Sequence, residues 1–246
     1  MRQFGLIGYP LSHSFSKKYF TEKFERENIA QANYELYELS SIDLFPALLA
    51  KHPDLVGLNV TIPYKQAVMP YLDALDTSAQ KVGAVNVIKI ENGKKTGFNS
   101  DYYGFKQSLI NSHFPINANT KALVLGSGGA SKAVIAALSD LAIQCKIVSR
   151  NPVNDQQIAY KSITSELIAN YQIIVNTTPL GMHPHTNACP DLPYEALNEN
   201  YLLFDLLYNP SETLFMKKGA AQGAQVLNGL EMLHLQAEKS WKIWNQ

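Results

Sequence analysis

The fold is decided by Lys121-Ala-Leu-Val-Leu-Gly-Ser-Gly-Gly-Ala-Ser131, which leads into the apolar run Ala133-Val-Ile-Ala-Ala-Leu138. A short apolar strand enters a glycine-rich turn, and a helix begins immediately after it. This arrangement points the free amides of the first helical turn at an anion, typically the pyrophosphate of a dinucleotide. We therefore predict a dinucleotide-binding unit. The loop residues expected to hold the dinucleotide are Gly126, Ser127, Gly128, Gly129 and Ala130.

The residue after the next predicted strand indicates which dinucleotide is bound. Residues 144–148 form that strand, and Ser149-Arg150 follows it. Enzymes that use NAD usually carry an acidic residue here for a ribose hydroxyl, whereas an arginine suits the additional phosphate of NADP. Arg150 therefore favours NADP(H) as the cofactor.

Strand and helix patterns alternate along the whole chain, which predicts an α/β fold with mostly parallel pairing. The Asn-Gly pair in Glu91-Asn-Gly-Lys94 adds one hairpin. We expect an N-terminal substrate-binding domain over residues 1–101 and a C-terminal Rossmann dinucleotide-binding domain over residues 102–229. The apolar stripe of residues 230–246 predicts a terminal helix that packs back onto the first domain.

Composition narrows the possible partners. The 246 residues suffice for two modest domains, and 21 basic residues balance 21 acidic ones, so no basic surface for nucleic acid is expected. Cys145 and Cys189 lie far apart and give no metal-ligand spacing. No apolar run approaches the roughly 20 residues of a membrane span. We expect a cytoplasmic protein that binds a small molecule, without a metal, a membrane or a nucleic-acid partner.

Polar residues interrupt apolar segments in the first half of the chain. In Asn59-Val-Thr-Ile-Pro-Tyr-Lys65, a lysine follows a buried strand and could serve as a general acid/base; the alternative is a solvated surface lysine. Asn86 breaks another apolar run, either to bind a ligand or to make a structural hydrogen bond. Asp101 could hold an ammonium group or simply cap a helix that begins at Tyr102.

Together these segments resemble the shikimate dehydrogenase family over nearly the whole chain. The matching motifs, in chain order, are Gly8-Tyr-Pro-Leu-Ser-His-Ser-Phe-Ser16, Asn59-Val-Thr-Ile-Pro-Tyr-Lys65, Gly83-Ala-Val-Asn86, Gly97-Phe-Asn-Ser-Asp101, Gly126-Ser-Gly-Gly-Ala130, Asn176-Thr-Thr-Pro-Leu-Gly-Met182, and Gly229-Leu-Glu-Met-Leu233 followed by Gln236. Each motif alone is weak, but their common order makes chance agreement improbable.

The resemblance implies a reversible, NADPH-dependent reduction of 3-dehydroshikimate to shikimate, a step of chorismate and aromatic amino-acid biosynthesis. It assigns Lys65 as the acid/base and Asp101 as its positioning partner. Substrate contacts are implied for Ser14 and Ser16 at the carboxylate, for Thr61, Asn86, Asp101 and Gln236 at the ring hydroxyls, and for Tyr208. Cofactor contacts are implied for residues 126–130 and Arg150, with Leu206 and Gly229 at the nicotinamide end.

Some positions depart from the family pattern. Lys17 stands where the family often has proline, and we expect it to add positive potential near the substrate carboxylate. No second basic residue closely follows Arg150. We expect His13 to fix a turn rather than take part in catalysis. The alternatives are a quinate/shikimate dehydrogenase with a broader substrate range or NAD use, and a non-catalytic nucleotide-binding module. Either a monomer or a homodimer fits the sequence.

Overall fold

The chain folds into two compact units in a computed structural model that describes residues 1–11 and 14–246. The first unit contains residues 1–101 and 236–246, and the second contains residues 102–235. The predicted role of His13 falls outside the described residues. Within the described ranges, no helix combines the length and the apolar character that crossing a membrane requires.

The first unit is built on a six-stranded mixed sheet. Its strands are β1 (Arg2–Gly8), β2 (Ala32–Glu38), β3 (Leu55–Val60), β4 (Ala74–Leu75), β5 (Val87–Glu91) and β6 (Lys94–Phe98). Its helices are α1 (Phe15–Arg26), α2 (Phe45–Lys51) and α3 (Thr77–Val82), and α4 (Ser100–Asn111) begins here. The strand order is β2-β1-β3-β5-β6-β4. Strand β1 pairs in parallel with β2 and β3, whereas β5 is antiparallel to both β3 and β6.

The predicted hairpin is confirmed. Strands β5 and β6 are joined at Asn92 and Gly93, whose φ angles are 50° and 79°. Two consecutive positive φ angles suit a tight hairpin turn, because asparagine and glycine tolerate the left-handed region. The hairpin also inserts the antiparallel strand β5 beside β3, which turns an otherwise parallel sheet into a mixed one.

The second unit is a parallel six-stranded sheet with the Rossmann strand order. Its strands are β7 (Lys121–Leu125), β8 (Gln144–Ser149), β9 (Gln157–Ala159), β10 (Ile173–Asn176), β11 (Leu202–Asp205) and β12 (Gln225–Leu227). Its helices are α5 (Gly129–Asp140), α6 (Ser165–Ile168) and α7 (Leu214–Ala220), and α8 (Leu230–Trp244) begins here. In the order β12-β11-β10-β7-β8-β9, the direction of winding reverses beside β7, the place where such sheets bind ligands. The predicted fold class is confirmed.

Helix α8 is shared between the units. Its residues 230–235 cluster with the second unit and residues 236–246 with the first, whereas the sequence assigned all of 230–246 to the first domain. Leu230 is 42% exposed and so does not belong to the buried stripe. Trp244 anchors the returning part: its ring lies 4.9 Å from that of Phe4, and its Nε1 donates to the carbonyl of Ile88 at 3.0 Å. Gly57 makes room for this ring, since an added Cβ would lie 2.5 Å from it.

Candidate active site

The candidate residues of the first unit gather at one edge of its sheet. Strands β1 and β3 are parallel, so both end at that edge. Strand β5 runs the other way, with Val87 opposite Asn59, and therefore begins there directly after Asn86. Phe98 at the end of β6 also lies opposite Val87, so the start of α4 comes to the same place. The topology thus collects four chain segments that are distant in sequence.

Lys65 and Asp101 meet at this edge. The Lys65 Nζ donates to Asp101 Oδ2 at 2.6 Å, across 36 positions of sequence. The Lys65 carbonyl accepts from Val85 N at 2.7 Å, which fixes the backbone that carries the ammonium group. The two side chains are only 29% and 19% exposed, so the alternative of a solvated surface lysine does not describe Lys65. A charge-assisted bond of this length orients the ammonium group while leaving it partly open to solvent.

Asp101 lies inside the first turn of α4, which begins at Ser100, so it is not the cap of a helix starting at Tyr102. A carboxylate in the first turn is favoured by the helix dipole. The start of this helix is held by Asn86, whose Oδ1 accepts from Ser100 N at 2.6 Å and whose Nδ2 donates to Ser100 Oγ at 3.0 Å. Asn86 is 3% exposed, so it makes the structural bond considered for it and thereby positions Asp101.

A buried polar chain extends from Ser100 into the core of the first unit. Ser100 Oγ lies 3.2 Å from Ser240 Oγ and 3.4 Å from Gln236 Oε1. Ser240 Oγ donates to the Gln236 carbonyl at 2.8 Å and accepts from Asn59 Nδ2 at 3.0 Å. Asn59 Oδ1 in turn accepts from the Tyr34 hydroxyl at 2.8 Å. These groups satisfy one another away from water, so each constrains the position of its neighbours.

Tyr34 links these groups to the predicted substrate segment at Ser14 and Ser16: burial raises the pKa of the Tyr34 phenol, and the nearby Ser16 side chain opposes that shift. Ser14 is the N-cap of α1, and its Oγ accepts from Lys17 N at 3.3 Å. The expectation for Lys17 needs correction: its Nζ donates to Glu35 Oε2 at 2.7 Å, so a carboxylate offsets its charge. Thr61, just past the end of β3, donates its amide to the Ile7 carbonyl at 2.9 Å.

The glycine loop of the second unit borders a cavity of about 500 Å³. Gly126 has a φ of 103°, and an added Cβ would lie 2.9 Å from Thr177 Oγ1, so this position requires glycine. Gly128 is the N-cap of α5. Residues 126–128 and Arg150 line the cavity, together with Tyr160 and residues 177–180. Gly129 and Ala130 form the first turn of α5 but are not part of the cavity wall.

Leu206 and Gly229 come together elsewhere in the second unit. An added Cβ on Gly229 would lie 2.1 Å from the Leu206 carbonyl oxygen, and Gly229 N donates to the Leu207 carbonyl at 2.8 Å. Neither residue lines the cavity beside Arg150. Tyr208 follows in the same loop and is 43% exposed. Leu206 and Tyr208 thus lie in the loop after β11, and Gly229, which follows β12, is hydrogen-bonded to that loop.

A buried carboxylate that the sequence did not single out fixes this loop. Asp205, at the end of β11, accepts from Asn176 Nδ2 at 3.0 Å, Leu207 N at 3.1 Å and Thr213 Oγ1 at 2.6 Å. Asn176 Oδ1 accepts from Thr178 N at 3.0 Å, which ties in the loop after β10. Burial raises the pKa of Asp205 to about 6, although the three hydrogen bonds oppose the shift. Within the described ranges, no group of three His, Cys, Asp or Glu side chains could hold a metal ion.

Comparison with known proteins gives consistent results. Residues 6–88 match the family model described as the shikimate dehydrogenase substrate binding domain. A curated relative, shikimate dehydrogenase (NADP(+)) of Clostridium beijerinckii, is 41% identical over 253 residues, covering 100% of this chain and 93% of its own.

Two solved structures extend the likeness to the whole fold. The shikimate 5-dehydrogenase of Thermus thermophilus, in complex with NADP(H) and shikimate, has a TM-score of 0.86 at 29% identity, covering 99% of this chain and 93% of its own. The enzyme of Listeria monocytogenes, in complex with shikimate and NAD, has a TM-score of 0.89 at 28% identity, covering 100% of this chain and 92% of its own.

Proposed function

The chain belongs to the shikimate dehydrogenase family, and on that premise we propose that it catalyses the reversible NADPH-dependent reduction of 3-dehydroshikimate to shikimate. It is an NADP-dependent oxidoreductase acting on a CH-OH group. The observation that carries the proposal is the 2.6 Å pair between Lys65 Nζ and Asp101 Oδ2, in a unit separate from the one that bears the glycine loop. A non-catalytic nucleotide-binding module would have no need of this pair.

Lys65 acts as the general acid in the direction of reduction. NADPH, when bound, supplies the hydride to the carbonyl carbon of the ring ketone. The Lys65 ammonium group stabilises the negative charge that develops on the carbonyl oxygen and then transfers its proton there, which completes the alcohol. Lys65 is left neutral and regains a proton from solvent. In the oxidation of shikimate the same nitrogen accepts the hydroxyl proton. Asp101 holds the ammonium group in place.

The substrate is small, anionic and rich in hydroxyl groups. We assign Ser14 and Ser16 to its carboxylate, and the contacts to its ring hydroxyls are assigned to Thr61, Asn86, Asp101 and Gln236, with Tyr208 as a further contact. Asn86 Nδ2 carries a second hydrogen besides the one given to Ser100, so its structural bond and a substrate contact are compatible. Sites built from such donors and acceptors discriminate strongly against analogues that lack one hydroxyl.

The residues of the second unit fit the proposed cofactor. The amides at the start of α5 suit a pyrophosphate, and the Arg150 guanidinium suits a phosphate monoester. Contacts to NADP(H) are assigned to Gly126, Ser127, Gly128, Gly129, Ala130 and Arg150, with Leu206 and Gly229 at the nicotinamide end. We further propose a cytoplasmic location and either a monomeric or a homodimeric state; cell fractionation and light scattering coupled to size-exclusion chromatography test these two points.

A two-by-two kinetic panel tests the function. Initial rates are recorded at the absorbance band of the reduced nicotinamide with shikimate or quinate, each with NADP or NAD. We expect the highest kcat/KM for shikimate with NADP. Comparable values for quinate, or for NAD, would instead identify a quinate/shikimate dehydrogenase of broader range. Dinucleotide binding without turnover of either acid would favour the binding module.

A further inference from the structure

Tyr160 presents a buried hydroxyl group that has no protein partner. It follows β9 directly and lines the cavity beside Arg150. Among the side chains of residues 1–11 and 14–246, its Oη is the one buried polar atom without a hydrogen bond to another protein atom. Buried hydroxyl groups are nearly always hydrogen-bonded, so an exception on the wall of a cavity points to a bond made with a ligand.

The chemistry around Tyr160 selects the kind of ligand. The described wall of the cavity contains no carboxylate, and it presents the guanidinium group of Arg150. Ser127 Oγ and Ser149 Oγ lie 3.3 Å apart on the same wall. Burial raises the pKa of the Tyr160 phenol, and the positive charge of Arg150 opposes that shift. At neutral pH the cavity therefore presents a neutral O–H donor close to a cationic donor, which suits an anion rich in acceptor oxygens.

We propose that the Tyr160 hydroxyl donates a hydrogen bond to the phosphate monoester that distinguishes NADPH from NADH, and that it shares this phosphate with Arg150. The assignment rests on the proposed NADPH-dependent function and makes Tyr160 a determinant of cofactor specificity. It also explains how the phosphate could be held without a second basic residue soon after Arg150, since residues 151–156, Asn-Pro-Val-Asn-Asp-Gln, contain neither lysine nor arginine. A phenol that approaches from β9 takes the place of a second basic residue.

Tyr160→Phe is a sharp test because it removes only the hydroxyl group. Dissociation constants are measured by calorimetry for NADPH, NADH, 2′,5′-ADP and 5′-AMP, in the absence of substrate. Because a hydrogen bond to a charged group is stronger than one between neutral groups, its loss should raise the dissociation constants of NADPH and 2′,5′-ADP by about tenfold or more. The affinities for NADH and 5′-AMP should not change, because neither carries the 2′-phosphate.

Tyr201→Phe is the matched control. Tyr201 is a buried tyrosine of the same unit that packs in a hydrophobic cluster and does not line the cavity. This variant should bind all four compounds as the unmodified protein does. The melting temperature of Tyr160→Phe should equal or exceed that of the unmodified protein, because the lost hydroxyl has no protein partner. A lower melting temperature would indicate a structural role and overturn the assignment.

Two binding results for Tyr160→Phe would also overturn the proposal. An equal loss of affinity for NADPH and NADH would place the hydroxyl against the adenosine that both contain. An unchanged affinity for both would show that the hydroxyl contacts neither. The outcome is independent of the catalytic proposal. If the protein fails to oxidise shikimate but Tyr160→Phe selectively weakens 2′,5′-ADP, the proposed function is wrong and the Tyr160 assignment stands.

Discussion

Replacing Lys65 with methionine tests the acid/base assignment most directly. Methionine retains an unbranched apolar side chain but has no ionisable group. Loss of a general acid/base lowers kcat by about 100- to 10,000-fold. The substrate carboxylate and most ring hydroxyls are assigned to other residues, so the KM for shikimate should change much less than kcat. Asp101→Asn, which retains an acceptor oxygen but removes the negative charge, should give a smaller loss of kcat.

The structure sets how much stability the same change removes. The Lys65 and Asp101 side chains are 29% and 19% exposed, so the pair lies between an exposed and a buried ion pair. Breaking it should cost about 1–2 kcal/mol of unfolding free energy after allowance for solvent screening. In a chain of this length that corresponds to a fall in melting temperature of about 2–8 °C. The variant therefore remains folded at ordinary assay temperatures, and a loss of turnover can be attributed to chemistry.

The assay follows shikimate oxidation with NADP by the appearance of NADPH absorbance, with kcat and KM fitted separately. Lys18→Met is the control, because Lys18 is 79% exposed and its Nζ lies 3.8 Å from Glu22. This variant should match the unmodified protein in kcat, KM and melting temperature. If Lys65→Met retained the kcat of Lys18→Met, the acid/base role of Lys65 would be refuted.

Other predictions concern stability and substrate binding. Burial raises the pKa of Asp205 to about 6 in the folded protein, whereas an unfolded aspartate has a pKa of about 4. Asp205 should therefore lower the free energy of unfolding by about 2–3 kcal/mol as the pH rises from about 4 to above 6. In urea titrations, the difference in unfolding free energy between the unmodified protein and Asp205→Asn should change by that amount over this pH range. Ser240→Ala removes a bond to the Gln236 carbonyl, so it should raise the KM for shikimate and cost about 1–2 kcal/mol in urea unfolding, with kcat little changed. Gly57→Ala forces a methyl group against Trp244 and should lower stability by about 1–3 kcal/mol in a thermal melt; an unchanged melting temperature would contradict this packing.

Local sequence signals predicted the elements with strong periodicity. The apolar run before Gly126 and the glycines after it located β7 and α5, and Asn92-Gly93 located the hairpin. Strand β9 carries no such signal, because Gln157–Ala159 is only three residues long and only half-buried. Such a strand forms through pairing with β8 rather than through its own pattern.

The site was predictable only in part, because its contacts join distant segments. The family resemblance brought Lys65 and Asp101 together, and their pairing is confirmed, whereas their catalytic roles stay predictions. The sequence around Ser240 gave no signal of a role in the site, because that role depends on its contact with Ser100, which lies on another element. Asn59 did give one, as a polar residue within an apolar strand. Arg150 predicted the NADP dependence from the sequence alone. The proposed part of Tyr160 in cofactor binding could be inferred only from the structure, in which the residue after β9 lines the same cavity as Arg150.

The hairpin has a practical consequence for experiments on this protein. Strand β5 begins, and strand β6 ends, at the edge of the sheet that carries Lys65 and Asp101. The turn that connects them, at Asn92 and Gly93, therefore lies at the opposite edge. Residues 91–94 are all exposed. A fluorophore, an affinity tag or a surface tether attached there would sit a full strand length from Lys65 and Asp101 and would leave these two side chains unobstructed.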